Sequence, residues 1–247
     1  MYKRPATVET RPSWGTPPAV SVMRTWKTIV MAAAAAGCSG TAPAGTAAPA
    51  PVPADPAVEA AAVSSTALRN PVEIVFEWRI SERETRFTGK GVARIAGNRA
   101  RVDLFGPRGE TYLSAVLLDR ELRLPAGLEF VPLPPPDLFW SVLGVFRPPA
   151  GVELVASRAD GGSRRLEYRS AGDRWQYRLD DGRLTEAEWT GAKEGRRTVQ
   201  IVGYHPRGVP EKATYRDWPA FVELDLTLQE VREVEGFPDD TWTIARD

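Results

Sequence analysis

From Val72 onward the chain sets apolar and polar residues in alternation. Val72, Ile74, Phe76, Trp78 and Ile80 are interleaved with Glu73, Glu77 and Arg79, the period of a strand with one buried and one solvated face. The habit recurs over Thr85–Ile95, Arg99–Phe105, Thr111–Leu118 and Glu121–Leu124, with Gly97-Asn98, Gly106-Pro107-Arg108-Gly109 and Asp119-Arg120 as the turns between them. Gly89 and Gly91 inside the second strand suit a bend or bulge. Further strands are predicted over Gly151–Ala159, Arg164–Arg169, Trp175–Leu179, Leu184–Thr190, Thr198–Tyr204 and Phe221–Leu228. Strands spaced roughly 8–12 residues apart, with turn signals between them, predict an antiparallel meander of about 10–11 strands. No sequence repeat matches that spacing, so a propeller or solenoid is not expected.

The middle of the chain breaks the pattern. Val131-Pro132-Leu133-Pro134-Pro135-Pro136 cannot be a central strand, because proline donates nothing to a ladder. Asp137 then opens Leu138-Phe139-Trp140-Ser141-Val142-Leu143, a short helix apolar on nearly all sides that Gly144 and Pro148-Pro149 stop. A helix so apolar must be buried on several faces or contact something apolar. The sequence therefore predicts one curved antiparallel sheet carrying a short helix.

The N-terminal third has a different character. Arg24 and Lys27 precede the apolar run Ile29-Val30-Met31 and Ala32–Ala36, which ends in Gly37-Cys38. A basic segment, a short apolar run and small residues at the cut are the parts of a secretory signal peptide. Ala35-Ala36-Gly37 before Cys38 resembles a bacterial lipobox, with Ala35 where leucine is usual; that resemblance implies cleavage before Cys38 and its acylation. Met23 is the more plausible start, leaving residues 1–22 as upstream sequence and 23–37 as the signal. From Cys38 to residue 67 the chain is mostly Ala, Pro, Thr and Gly, too poor in apolar bulk to offset the entropy of ordering, and reads as an extended tether. Ala57–Leu68 admits a frayed helix within it. The folded domain is expected over 68–247.

Composition narrows the chemistry. The 247 residues hold 32 Lys+Arg, 32 Asp+Glu, one His and one Cys. Removal of the signal and upstream segment leaves 27 basic and 31 acidic residues, so neither a nucleic-acid partner nor electrostatic adhesion to anionic lipid is indicated. One Cys and one His exclude an internal disulfide framework and supply too few ligands for a thiolate cluster or multi-His metal site; no cofactor or metal is expected. His205 lies in the loop Tyr204-His205-Pro206-Arg207-Gly208, and a catalytic triad would need it beside residues such as Ser141 and Asp217. The carboxylate pairs Glu186/Glu188 and Asp180/Asp181 read as solvated strand and turn charges, and Gly161-Gly162 as a turn rather than a phosphate loop. No catalytic residue is assigned.

Several weak motifs in series resemble the LolA/LolB-like half-barrel proteins of bacterial envelopes, LolB-like outer-membrane lipoproteins in particular. They are Phe87-Thr88-Gly89-Lys90-Gly91-Val92-Ala93, the Arg-rich strand Arg99–Phe105 ending in Gly106-Pro107-Arg108-Gly109, the proline-led helix from Pro134 to Gly144, and Ile201-Val202-Gly203-Tyr204 followed by Pro210 and a last apolar strand. The resemblance implies an open half-barrel with one or more short helices across its mouth. It also implies an apolar cavity for acyl chains or lipidated protein N-termini, a role in lipoprotein sorting, and exchange with a periplasmic carrier. The cavity residues expected on that basis are Phe76, Trp78, Leu104, Leu113, Phe139, Trp140, Leu143, Trp175, Tyr177 and Trp189. In LolB-like proteins the loop matching Pro107-Arg108-Gly109 carries an apolar residue linked to membrane insertion. Arg108 stands there instead, which places the insertion step in question.

Three readings follow. The first is a monomeric, lipid-anchored, periplasm-facing protein of the outer membrane that binds acyl chains. The second is a non-catalytic docking or structural lipoprotein on the same fold, which a filled cavity would favour. The third, a hydrolase, lacks a polar constellation to support it.

Overall fold

The computed structural model of the protein describes residues 54–127 and 133–244. The upstream segment, the signal peptide, Cys38 and most of the tether lie outside the described residues. Helix α1 (Pro56–Thr66) is followed by β1 (Val72–Glu82), β2 (Thr85–Ala96), β3 (Arg99–Phe105), β4 (Thr111–Leu118) and β5 (Glu121–Arg123). Helix α2 (Pro136–Val142) precedes β6 (Glu153–Asp160), β7 (Ser163–Arg169), β8 (Asp173–Asp180), β9 (Arg183–Gly191), β10 (Gly195–Tyr204), β11 (Pro210–Asp217) and β12 (Val222–Glu233). A 3₁₀ turn, Asp239–Trp242, ends the described chain.

All twelve strands join one antiparallel sheet in the order β5-β4-β3-β2-β1-β12-β11-β10-β9-β8-β7-β6. Two meanders are thus welded along β1 and β12, and the outermost strands, β5 and β6, do not pair, so the sheet is an open half-barrel. This topology explains the helix. The chain must travel from one edge of the sheet to the other between β5 and β6, and α2 lies on that crossing, against β9, β10 and β11. The three-residue edge strand β5 carries Glu121 and Arg123, charges that blunt an edge against further pairing.

Alternation fixes which face is inside. On β1, Ile74, Phe76, Trp78 and Ile80 are buried on the concave side. Their partners there are Ala93, Gly91, Gly89 and Phe87 on β2, and Val231, Leu228, Leu226 and Leu224 on β12. Gly89 and Gly91 do not make a bulge, since β1 and β2 stay in register along their whole length. They make room: a Cβ on Gly91 would lie 2.4 Å from the Phe76 ring, and one on Gly89 would lie 1.9 Å from the Phe105 carbonyl oxygen. The register shift sits instead at Val75/Phe76 against β12.

The convex face is held by ion pairs. Asp103, almost fully buried there, accepts from Arg94 (2.8 Å), Arg101 (3.0 Å) and Ser114 (2.8 Å). Asp225 accepts from Arg79 and Thr214. Such partners offset the cost of burying a carboxylate. The C-terminal segment returns to this face, where Arg101 donates to the carbonyls of Thr241 and Thr243 and the Arg99 guanidinium lies 4.8 Å from the centre of the Trp242 ring.

Helix α1 falls inside the stretch read as tether. Its Asp55 side chain accepts from the Ala57 amide, Pro56 opens its first turn, and Ala62 and Thr66 are buried against the domain. Thr66 accepts a 3.0 Å hydrogen bond from the Phe146 amide, tying α1 to the exit of α2. The packed part of the chain therefore begins before residue 68. None of the described helices is long and apolar enough to cross a membrane.

Candidate functional site

The concave face is one continuous apolar surface, and α2 plugs it. The helix is only seven residues long, enters through Pro135 with no side-chain cap, and buries Leu138, Phe139, Trp140, Ser141 and Val142. It starts at Pro136 rather than Asp137. Proline is tolerated at the first helical position, where no amide donor is missed. Gly144, at φ +80°, turns the chain out of the helix so close to β11 that a Cβ would lie 2.8 Å from the Pro210 ring. Trp140 anchors the plug: its indole donates to the Asp119 carbonyl at 2.6 Å, and the Arg147 guanidinium sits 5.1 Å from its ring centre. Phe146 packs edge-on against Tyr177 at 4.9 Å between centroids.

Every residue predicted to line the cavity is buried on this side of the sheet, but as packed core. Phe76, Trp78, Leu104, Leu113, Phe139, Trp140, Leu143, Trp175, Tyr177 and Trp189 are each at most 8% exposed. Trp175 and Trp189 face each other across β8 and β9, with the Arg197 guanidinium 4.5 Å from the Trp189 ring centre. The void left beside α2 is about 30 Å³, bounded by Ile74, Phe76, Val142, Leu143, Pro210 and Leu226 among others. Of the ten predicted residues, Phe76 and Leu143 reach it. The side chains of the sheet and of α2 fill the rest.

Three polar groups are strained by this closure. The Tyr177 hydroxyl and the Ser141 hydroxyl on α2 are buried without hydrogen-bond partners among the described residues, a cost of about 1–3 kcal/mol for each such group. Burial raises the Tyr177 pKa, with the nearby Asp137 carboxylate adding to it. Asp137 is itself raised by burial, against the opposing charge of Arg120. A carboxyl whose folded pKa exceeds its unfolded value holds its proton more tightly when folded. Its destabilising effect is therefore present above the folded pKa and disappears as pH falls through it. Asp137→Asn is expected to raise the melting temperature by a few degrees at pH 7, and melts at falling pH should show the gain shrinking below the folded pKa and gone below the unfolded value of about 3.9.

No family model matches the sequence, and no curated protein matches it. Among solved structures, a LolA superfamily protein from Nitrosomonas europaea superposes with a TM-score of 0.53 at 13% identity, covering 78% of this chain and 98% of its own. The fold is LolA-like. A domain from Vibrio parahaemolyticus described as an outer-membrane lipoprotein-sorting protein gives a TM-score of 0.51 at 9% identity, covering 75% of this chain and 94% of its own. At these identities the likeness is one of fold.

On this LolA-like fold, Pro107, Arg108 and Gly109 form an exposed turn between β3 and β4. Gly109 donates to the Gly106 carbonyl at 3.0 Å, and the Arg108 amide to the Glu110 carboxylate at 3.0 Å. His205, Ser141 and Asp217 are not brought together: β11 separates the His205 turn from Asp217, which pairs with Arg197 at 2.7 Å, and Ser141 is buried in α2. The sequence reading missed a cleft of about 790 Å³, of mixed polar and apolar lining, at the foot of the Gly106–Gly109 turn. Glu77, Arg79, Lys90, Lys212 and Asp225 line it, with the Trp78 indole at its floor beside Gly89. Its charged residues are outward members of their strands, which alternation alone assigns to solvent.

Proposed function

We propose that the chain is an envelope lipoprotein, anchored through an acylated Cys38 in the outer membrane, that takes an acyl chain or a lipidated protein N-terminus from a periplasmic carrier in the manner of LolB. One observation carries this reading: the apolar concave face is closed by a short, poorly capped helix whose removal would open it. Pockets for small ligands measure about 300–1,000 Å³, far above the 30 Å³ void, so the ligand must displace α2. Leu138, Phe139, Trp140 and Val142 are the side chains it replaces, each contributing roughly 1.5–3 kcal/mol of burial. A chain of about 14–16 methylenes buries about 0.8 kcal/mol per CH₂. The two totals are comparable, and a near-balanced exchange is what a protein that both receives and releases lipid requires. Relief of the Tyr177 and Ser141 hydroxyls and the Asp137 carboxylate favours opening.

The packed interior gives the second reading, a docking lipoprotein on the same fold, its specific support. Native mass spectrometry on the full chain carrying Cys38→Ser separates the two, because any acyl group then found is ligand rather than anchor. The first reading expects a one-to-one acyl adduct after gentle purification or on adding palmitate, with lower occupancy in Asp137→Asn, which holds α2 down. A clean unliganded mass under both conditions leaves the docking reading.

A further inference from the structure

The turns at one end of the half-barrel form a continuous rim. Ala192 donates to the Gly172 carbonyl (2.8 Å), Trp218 to the Arg196 carbonyl (3.1 Å) and Arg83 to the Phe221 carbonyl (3.4 Å). These bonds stitch the β7–β8, β9–β10, β11–β12 and β1–β2 turns side by side. Two large aromatic residues stand out of it: Trp218 is 50% and Phe221 is 70% exposed, with Phe87 on β2 at 42%. Phe221 also holds φ at +56°, a left-handed conformation that is an outlier for a bulky residue. Between the two lie Pro219 and Ala220, so the turn's tip carries no polar side chain.

Beside this tip is a notch of about 400 Å³ lined by Arg83, Arg86 and Arg216 as well as Trp218 and Phe221. Its acids are already engaged: Asp217 pairs with Arg197 and Glu223 with Arg216, each at 2.7 Å. Arg83 and Arg86 have no ion-pair partner among the described residues, although Glu82 and Glu84 lie on the same hairpin. Aromatic bodies at a tip with guanidinium groups around them match the boundary between acyl chains and phosphate headgroups.

We propose that this rim docks on the bilayer surface, with Trp218 and Phe221 entering the headgroup–acyl boundary and Arg83 and Arg86 taking lipid phosphates. The path of the chain supports a membrane as the occupant. Helix α1 points its N-terminal end toward the rim: Glu59 accepts from the Tyr168 hydroxyl at 2.9 Å, near the end of β7, whereas Ser65 lies beside Gly182 at the opposite end. Sixteen residues separate Cys38 from Asp55, which at about 3.1 Å per residue reach about 50 Å. A lipid anchor at Cys38 is therefore joined to the domain through the end of α1 that faces the rim. A protruding pair of aromatic residues is also a poor match to a protein interface, which needs about 800 Å² per partner. The proposal stands apart from acyl binding inside the half-barrel, since it uses none of the concave residues.

The test is co-sedimentation of the full chain carrying Cys38→Ser with vesicles of phosphatidylethanolamine and phosphatidylglycerol, with tryptophan emission read in parallel. The chain is expected to bind with a blue-shifted emission. Trp218→Ser/Phe221→Asn is expected to lower the bound fraction about ten-fold and abolish the shift, with an unchanged melting temperature because asparagine tolerates the left-handed turn. Arg83→Ser/Arg86→Ser is expected to weaken binding by about three-fold or more, the loss shrinking at high salt. Asp137→Asn, which acts inside, should bind vesicles as the parent does. Failure of the parent to sediment with vesicles, or equal binding by the aromatic double variant, overturns the proposal. Capture by a protein instead of by vesicles does the same.

Discussion

Gly89→Ala is expected to destabilise the domain by about 3 kcal/mol or more, lowering the melting temperature by roughly 6–12 °C. The methyl group would arrive 1.9 Å from the Phe105 carbonyl oxygen, a backbone atom that cannot step aside without breaking the β2–β3 ladder. It would also lie 2.9 Å from the Trp78 indole, whose Nε1 donates to the Lys90 carbonyl at 3.0 Å and the Phe105 carbonyl at 3.1 Å. Moving that ring leaves a buried donor unpaired, which adds about 1–3 kcal/mol. Thermal melts followed by circular dichroism decide the matter. A loss below about 1 kcal/mol would show that the sheet yields at this point and that the glycine is incidental.

Trp140→Ala is expected to cost about 3–5 kcal/mol, the range for deleting a large buried aromatic residue. Trp140 is 1% exposed, and its indole fastens α2 to the β4–β5 turn through the Asp119 carbonyl. The effect should also be local. With seven residues and no side-chain cap, α2 has little stability of its own once its anchor is gone. Hydrogen exchange is expected to rise over residues 136–146 well before the strands lose protection, and an environment-sensitive apolar dye should bind the uncovered face. Uniform loss of protection across sheet and helix would mean that α2 is part of the core rather than a plug upon it.

Much of this architecture is written in strand alternation, and the places where it was not legible have physical causes. β1 announces itself because one face is wholly apolar. β11 does not: its inner face offers only Ala213 and Tyr215, its first residue is a proline, and its outward Thr214 is buried through Asp225 rather than through apolar contact. Without β11, alternation gives Trp218 no turn to stand in and places Phe221 in the strand that follows. Alternation ends β12 at Leu228 because the register shift against β1 displaces the next inward residue to Val231. Gly89 and Gly91 carry the signature of a bulge and of a space for a ring alike, and only the neighbour across the strand distinguishes the two. The apolar face was legible residue by residue, but whether ten large side chains enclose a space or fill it depends on sheet curvature and on α2, neither of which alternation encodes. Arg108 sits on the exposed turn between β3 and β4.

The most direct test of the central claim, that the face beneath α2 receives an acyl chain, is to locate the ligand. The full chain carrying Cys38→Ser would be incubated with a photoreactive palmitate analogue, irradiated and digested, and the modified residues identified by mass spectrometry. Displacement of α2 expects labels on the void's walls, at Phe76, Val142, Leu143, Leu226 or Leu228, with unlabelled palmitate competing them away. Labels confined to the rim at Trp218 and Phe221, or to the cleft at the foot of the Gly106–Gly109 turn, would contradict it and leave a half-barrel that meets lipid only with its surface.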